Sequence, residues 1–234
     1  MKSEFILATT VLNERDAPAG RARSEVIPMD YADFIKEVEP RLIIGMREML
    51  ESNEAFRQII PYIIVIEEPE LGVEKFVCYR RTKKVGEQRL AGNVSIGFGG
   101  HIELPDIINV GENLSTINLA ATIKYAVTRE LKEELQAGST GMDHEIDSKV
   151  LSLAIRTMLE PADIILIDDL DEVGRVHMGL VFELRLPLGM KVTTGEDELA
   201  HMESKTVDEL LESSYPLETW TKLYLDYRKH GLAV

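Results

Sequence analysis

Cysteine is almost absent. Cys78 is the only one in 234 residues, which excludes an internal disulfide and suits a reducing cytosol. Long apolar runs are also missing: no stretch reaches the roughly 20 apolar residues that a spanning helix needs. The start, Met1-Lys2-Ser3-Glu4, leads only the short run Phe5 to Leu7, so neither a signal peptide nor a membrane anchor is expected. Positive charge is scarce, with 26 Lys and Arg against 41 Asp and Glu and a net charge of −15. Nucleic-acid surfaces need basic patches, so that class of partner is disfavoured. A nucleotide-type small molecule is not, because a cation can screen its phosphates. Repeats and low-complexity tracts are absent too, and the expectation is a cytoplasmic globular protein.

What is present is ordinary in bulk, with 44% hydrophobic and 29% charged residues. The length supports one domain, or one domain with an appendage. Residues 1–58 are expected to form an N-terminal strand and helical extension, packed on a main domain at 59–234. Residues 4–12 predict a strand, and Asp30 to Ser52 a helical run split by Pro40. Ile59 to Ile66 predicts a buried strand, and Lys75 to Arg80 a strand pairing back on it. Leu151 to Met158, Ile164 to Ile167 and Arg175 to Leu186 are further predicted strands. Pro216 is expected to open a final amphipathic helix that Gly231 ends.

The informative stretch runs from Gly97 to Gln136. It opens with Gly97-Phe98-Gly99-Gly100-His101-Ile102-Glu103 and closes with Arg129-Glu130-Leu131-Lys132-Glu133-Glu134-Leu135. A helix is predicted from Asn118, a suitable N-cap, to Gln136, with Gly138 as its stop. Leu119, Ala120, Ile123, Ala126, Val127 and Leu131 fall on one stripe. Glu130 and Glu134 fall on the same stripe, and Glu133 at its border. Carboxylates one turn apart repel by roughly 0.2–0.5 kcal/mol even in water, and an unpaired buried charge costs several kcal/mol. Something positive is required there. Arginine or lysine is one answer; a hard divalent cation, which prefers oxygen donors, is another.

These residues resemble the signature of the Nudix hydrolases: Gly, five residues, Glu, seven residues, then Arg-Glu-aliphatic-x-Glu-Glu-x-Gly-aliphatic. Gly99-Gly100-His101-Ile102-Glu103, Gly111-Glu112 and Arg129-Glu130-Leu131-Lys132-Glu133-Glu134 follow its order. The spacing is stretched, with eleven residues between Gly100 and Glu112 and sixteen between Glu112 and Arg129. Gln136-Ala137 replaces the closing Gly-aliphatic pair. The resemblance implies an α+β fold, a Nudix-type α/β/α sandwich with a mixed sheet. It implies a hydrolase that cleaves the pyrophosphate linkage of a nucleoside diphosphate joined to another moiety, with Mg²⁺ or Mn²⁺. Glu130, Glu133 and Glu134 would hold the metal, with a carbonyl of Gly99 or Gly100. Glu133 would alternatively draw a proton from the attacking water, the loss of Glu134 would remove most of the catalysis, and Arg129 would orient Glu112. Dimers are common among relatives, so a homodimer is a further expectation.

Other residues have two readings each. Arg80, Arg81, Lys83, Lys84 and Arg89 are an exposed hairpin tip or a clamp for substrate phosphates. His101 and His177 are structural or touch substrate. Glu198 or Glu203 would supply one more acidic group from the loop before Thr206-Val207-Asp208-Glu209-Leu210. Asp168 to Glu172 is expected to be an exposed acidic turn. Two rival functions differ in class from the hydrolase. One is a Nudix-like nucleotide-binding module without catalysis. The other is an isopentenyl diphosphate isomerase, whose chemistry uses a cysteine; Cys78 lies in a predicted core strand instead.

Overall fold

The computed structural model describes residues 4–10, 24–67, 72–82, 92–111, 116–137, 144–170, 172–195 and 199–231. Its strands and helices in chain order are β1 (Phe5–Thr10), β2 (Ser24–Pro28), α1 (Tyr31–Val38), β3 (Leu42–Met46), α2 (Arg47–Glu51), β4 (Phe56–Glu67), β5 (Lys75–Phe76), β6 (Tyr79–Arg81), β7 (Val94–Ser95) and β8 (Gly97–Phe98). There follow α3 (Leu119–Glu134), β9 (Leu135–Ala137), α4 (His144–Thr157), β10 (Leu159–Asp168), β11 (His177–Leu186), β12 (Val192–Thr194), β13 (Leu199–His201), α5 (Val207–Leu211) and α6 (Thr219–His230). The chain divides into two compact units. The first is Met1–Tyr62, Gly99–Arg129 and Pro161–Val181, and the second is Ile63–Phe98, Glu130–Glu160 and Phe182–Val234.

In the first unit the strands lie in the order β2-β10-β11-β4-β1-β3. β1 runs antiparallel to β3, from Phe5 opposite Met46 to Thr9 opposite Leu42. β2 pairs β10 antiparallel, with Ile27 opposite Ile165. Side chains on successive strand residues point to opposite faces. Leu7 and Ala8, or Ile165 and Leu166, are nevertheless both buried, so both faces of the sheet are covered there. α1 is started by Asp30, whose carboxylate accepts from the Ala32 and Asp33 amides. It buries Phe34 and Val38 completely, each worth about 1.5–3 kcal/mol.

The run from Asp30 to Ser52 is not continuously helical. Pro40 sits in a short 3-10 turn, and Leu42-Ile43-Ile44-Gly45-Met46 is a strand. Two β-branched residues after a proline break favour extended backbone. β10 likewise runs through Pro161 without a break. Its pairing to β2 covers Ile164 to Asp168, so the missing proline N–H lies outside that ladder. Asp163 has φ of 52°, and its Oδ1 accepts from the Tyr31 amide at 2.9 Å.

In the second unit β5 and β8 pair with the later half of β4, β6 lies between β13 and β7, and β9 pairs β12. Leu151 to Thr157, expected as strand, is the end of α4. Leu151, Ala154 and Ile155 are buried while Val150 and Leu153 are exposed, which is helical spacing. α6 begins at Thr219 after Glu218, rather than at Pro216, and ends at Gly231 with φ of 73°. Cys78 is fully buried, and its Sγ donates to the Glu203 carbonyl at 3.4 Å. Burial pushes the thiol from 9.0 up to about 11. Thiolate is the reactive form, so native protein at neutral pH is expected to resist alkylation at Cys78. Unfolded protein should react at once; rapid labelling of native protein would contradict this placement.

Candidate functional site

α3 carries most of the residues singled out in the sequence. Asn118 caps it, accepting from the Ala121 amide at 2.9 Å. Leu119, Ile123, Ala126, Val127 and Leu131 are fully buried, as the stripe required, while Ala120, placed on the same stripe, is only half-buried. The helix ends at Glu134, two residues short of the predicted Gln136. Leu135 to Ala137 then turns into β9, and the Glu134 carbonyl accepts from Gly195 at 2.7 Å. Gly138, the expected stop, lies outside the described residues.

The site residues fall in both units. Gly99, Gly100, His101, Arg129 and His177 belong to the first; Arg80, Arg81, Glu130, Glu133, Glu134 and Glu203 belong to the second. Glu112, Glu198, Lys83, Lys84 and Arg89 lie outside the described residues.

In the first unit Arg129 grips Asp106. Its Nε donates to Oδ1 and its Nη2 to Oδ2, both at 2.8 Å. The same Nη2 donates to the His101 carbonyl at 3.0 Å. Asp106 is fully buried and also accepts from the Glu103 amide at 2.8 Å. This bidentate pair anchors the glycine turn to the helix. Gly99 there has φ of 133°, a conformation open mainly to glycine. Glu112, the partner expected for Arg129, lies outside the described residues; among the described ones Arg129 pairs with Asp106. Five residues separate Gly100 from Asp106, the spacing the signature gives its first carboxylate. Aspartate stands there in place of glutamate. Counted from Asp106 instead of Glu112, the signature has one insertion rather than two, before Arg129, 23 positions on. Asp106→Ala is expected to cost about 1–3 kcal/mol in a urea melt, because Arg129 and an amide lose a buried acceptor. A change below about 0.5 kcal/mol would show that the turn is held by other means.

His101 and His177 meet in the same unit, with Nε2 atoms 3.2 Å apart. His101 Nε2 also lies 2.7 Å from Gln58 Oε1, and His177 Nδ1 donates to the Val173 carbonyl at 2.6 Å. The expected exposed turn after β10 begins instead with buried residues: Asp168 and Asp169 are 6% and 1% exposed. Asp169 pairs with Arg57 at 2.7 Å, and Arg57 donates to the carbonyls of Gly174 and His177. Gly174 is required here, since a Cβ would stand 1.8 Å from the Asp168 carbonyl.

In the second unit Glu130 and Glu134 are each 8% exposed, one turn apart, while Glu133 is exposed. Arg81 is half-buried, and its Nε donates to Glu218 at 2.5 Å. The neighbouring Tyr79, Glu218 and Glu134 hold Arg81 above its usual range against the opposing effect of burial. Arg81 thus faces acidic neighbours rather than standing as an open clamp. Arg80 and Glu203 are exposed. Tyr79 is buried with its hydroxyl donating to the Gly97 carbonyl at 2.6 Å, and burial pushes its pKa well up.

Among the described residues no three His, Cys, Asp or Glu side chains form a metal-holding group. Two carboxylates one turn apart still suit Mg²⁺, which typically uses one or two carboxylates and completes its shell with water and substrate phosphate.

No family model matches the chain. Protein YmaB of Bacillus subtilis (strain 168) is 28% identical over 198 residues, covering 82% of each chain. Tm1382, whose crystal structure is that of a candidate Nudix hydrolase, superposes with a TM-score of 0.62 at 19% identity, over 96% of this chain and 98% of that one. With a mixed sheet, these helices and the glycine turn tied to α3 through Arg129, the chain has the Nudix hydrolase fold.

Proposed function

We propose that the protein hydrolyses the pyrophosphate linkage of a nucleoside diphosphate joined to another moiety, with Mg²⁺ or Mn²⁺ held by Glu130 and Glu134. The observation that carries this is the burial of both glutamates, each 8% exposed, directly after an arginine that locks the glycine turn. A cation bound there would offset charge on the phosphate oxygens and acidify its water. The chain's own residues do the rest. Arg129 and Asp106 fix the glycine turn. Glu133, being exposed, can accept a proton from water. Arg80, also exposed, can meet substrate phosphates. A panel of nucleoside triphosphates, nucleotide sugars, ADP-ribose and dinucleoside polyphosphates, assayed for phosphate or nucleoside monophosphate release with each metal, tests this. Turnover of at least one compound, abolished by chelation, is expected. No turnover with measurable binding would favour the second reading.

That second reading is a binding module of the same fold without catalysis. The insertion before Arg129 and the shortened carboxylate at Asp106 favour it. An isomerase using Cys78 is opposed by the buried, protonated state of that thiol.

A further inference from the structure

The two histidines carry chemistry that the proposed hydrolysis does not use. His177 lies at the start of β11 and His101 just after the glycine turn, 76 positions apart in sequence. Their rings approach edge to face, with an interplanar angle of 64°. The 3.2 Å between the Nε2 atoms lies at the long end of the hydrogen-bond range. It matches two nitrogens on one ion: bonds of about 2.0–2.1 Å at a tetrahedral angle place them roughly 3.3 Å apart. Gln58 Oε1 stands beside them, at hydrogen-bond distance, 2.7 Å, from His101 Nε2; as a third ligand it would move a few tenths of an ångström away. Gln58 is fully buried, and its Nε2 has no hydrogen-bond partner. Its amide is therefore held by its oxygen end alone, toward the histidines.

The surroundings orient the pair as a ligand set requires. His177 donates Nδ1–H to the Val173 carbonyl at 2.6 Å, which leaves the Nε2 lone pair directed at His101. Ligating histidines commonly carry such a bond on the second nitrogen. The 3-10 turn from Gly174 to Val176 is itself fixed by Arg57, and Asp169 neutralises Arg57 at 2.7 Å. The support is thus buried, with Arg57 and Asp169 paired. A solvated pair of histidines would need none of it.

We propose that His101, His177 and Gln58 form a site for a first-row transition ion such as Zn²⁺, Co²⁺ or Ni²⁺, with water completing the shell. Imidazole donors suit these ions and not Mg²⁺. The site uses none of the α3 glutamates and stands whether or not the hydrolase reading does.

The test uses the full chain, stripped by chelation, with the Glu130→Gln, Glu134→Gln background run in parallel to remove carboxylate binding. Zn²⁺ is added in the presence of excess Mg²⁺, and the ring nitrogens of the five histidines are followed by long-range nitrogen–proton NMR. Two rings are expected to shift, and the same two in both proteins. His177→Ala should lower Zn²⁺ affinity about tenfold or more, and Co²⁺ should give a visible d–d absorption that this variant loses. If no ring shifts, if other histidines shift, or if His177→Ala binds Zn²⁺ as tightly as the parent, the pair shares only a proton and the proposal fails. The NMR readout on the parent protein decides the matter even if the variant does not fold.

Discussion

Asp169→Asn is expected to lower the unfolding free energy by about 3–5 kcal/mol, the usual effect of removing one partner from a buried ion pair. Asp169 and Arg57 are each 1% exposed and meet at 2.7 Å. Arg57 would keep its bonds to the Gly174 and His177 carbonyls, but carbonyl dipoles do not cancel a full buried charge. The double change Arg57→Met, Asp169→Leu removes both charges at once. It is expected to recover most of the loss, because apolar replacements of buried pairs are often neutral or stabilising. Urea unfolding at constant slope measures both. A loss under about 1 kcal/mol for Asp169→Asn would place the pair with weak surface bridges and remove it as the anchor of the segment after β10.

Glu134→Gln should separate catalysis from stability. Under the proposed function it removes a carboxylate that holds the cation, and the rate should fall by about a hundredfold or more. Stability should hold or rise, since one of two neighbouring buried negative charges, at Glu130 and Glu134, disappears. A structural role predicts the reverse. Glu134 acts on the charge of Arg81, and if that attraction were its main task, glutamine would lower the melting temperature and leave the rate alone. Measuring kcat and Tm on the same preparation decides between them.

The sequence exposed what local pattern encodes. The stripe on α3, the inward turn of Glu130 and Glu134, and the strand from His177 to Leu186 all follow from spacing within one element. Asp106 also stands at the signature's spacing from Gly100, where the signature has glutamate. The strand at Leu42–Met46 was hidden by its likeness to a helical face. α4 could have been recognised, since Leu151, Ala154 and Ile155 recur at helical intervals. Long-range partners were a different matter. Arg57 finds Asp169 across 112 positions, and nothing near an acidic tract says that two of its members will be buried, one of them against an arginine. The meeting of His101 with His177 is of the same kind, a product of strand order rather than of any local motif.

Each compact unit is assembled from three separate stretches of chain, and β4, α3, β10 and β11 each pass from one unit into the other. Cutting the polypeptide at any one passage therefore leaves four further covalent connections intact. Neither half can be expressed as a continuous fragment, and a single protease nick will not release one from the other. Genetic dissection of this protein must proceed by point substitution, because no truncation isolates either half with its own strands complete.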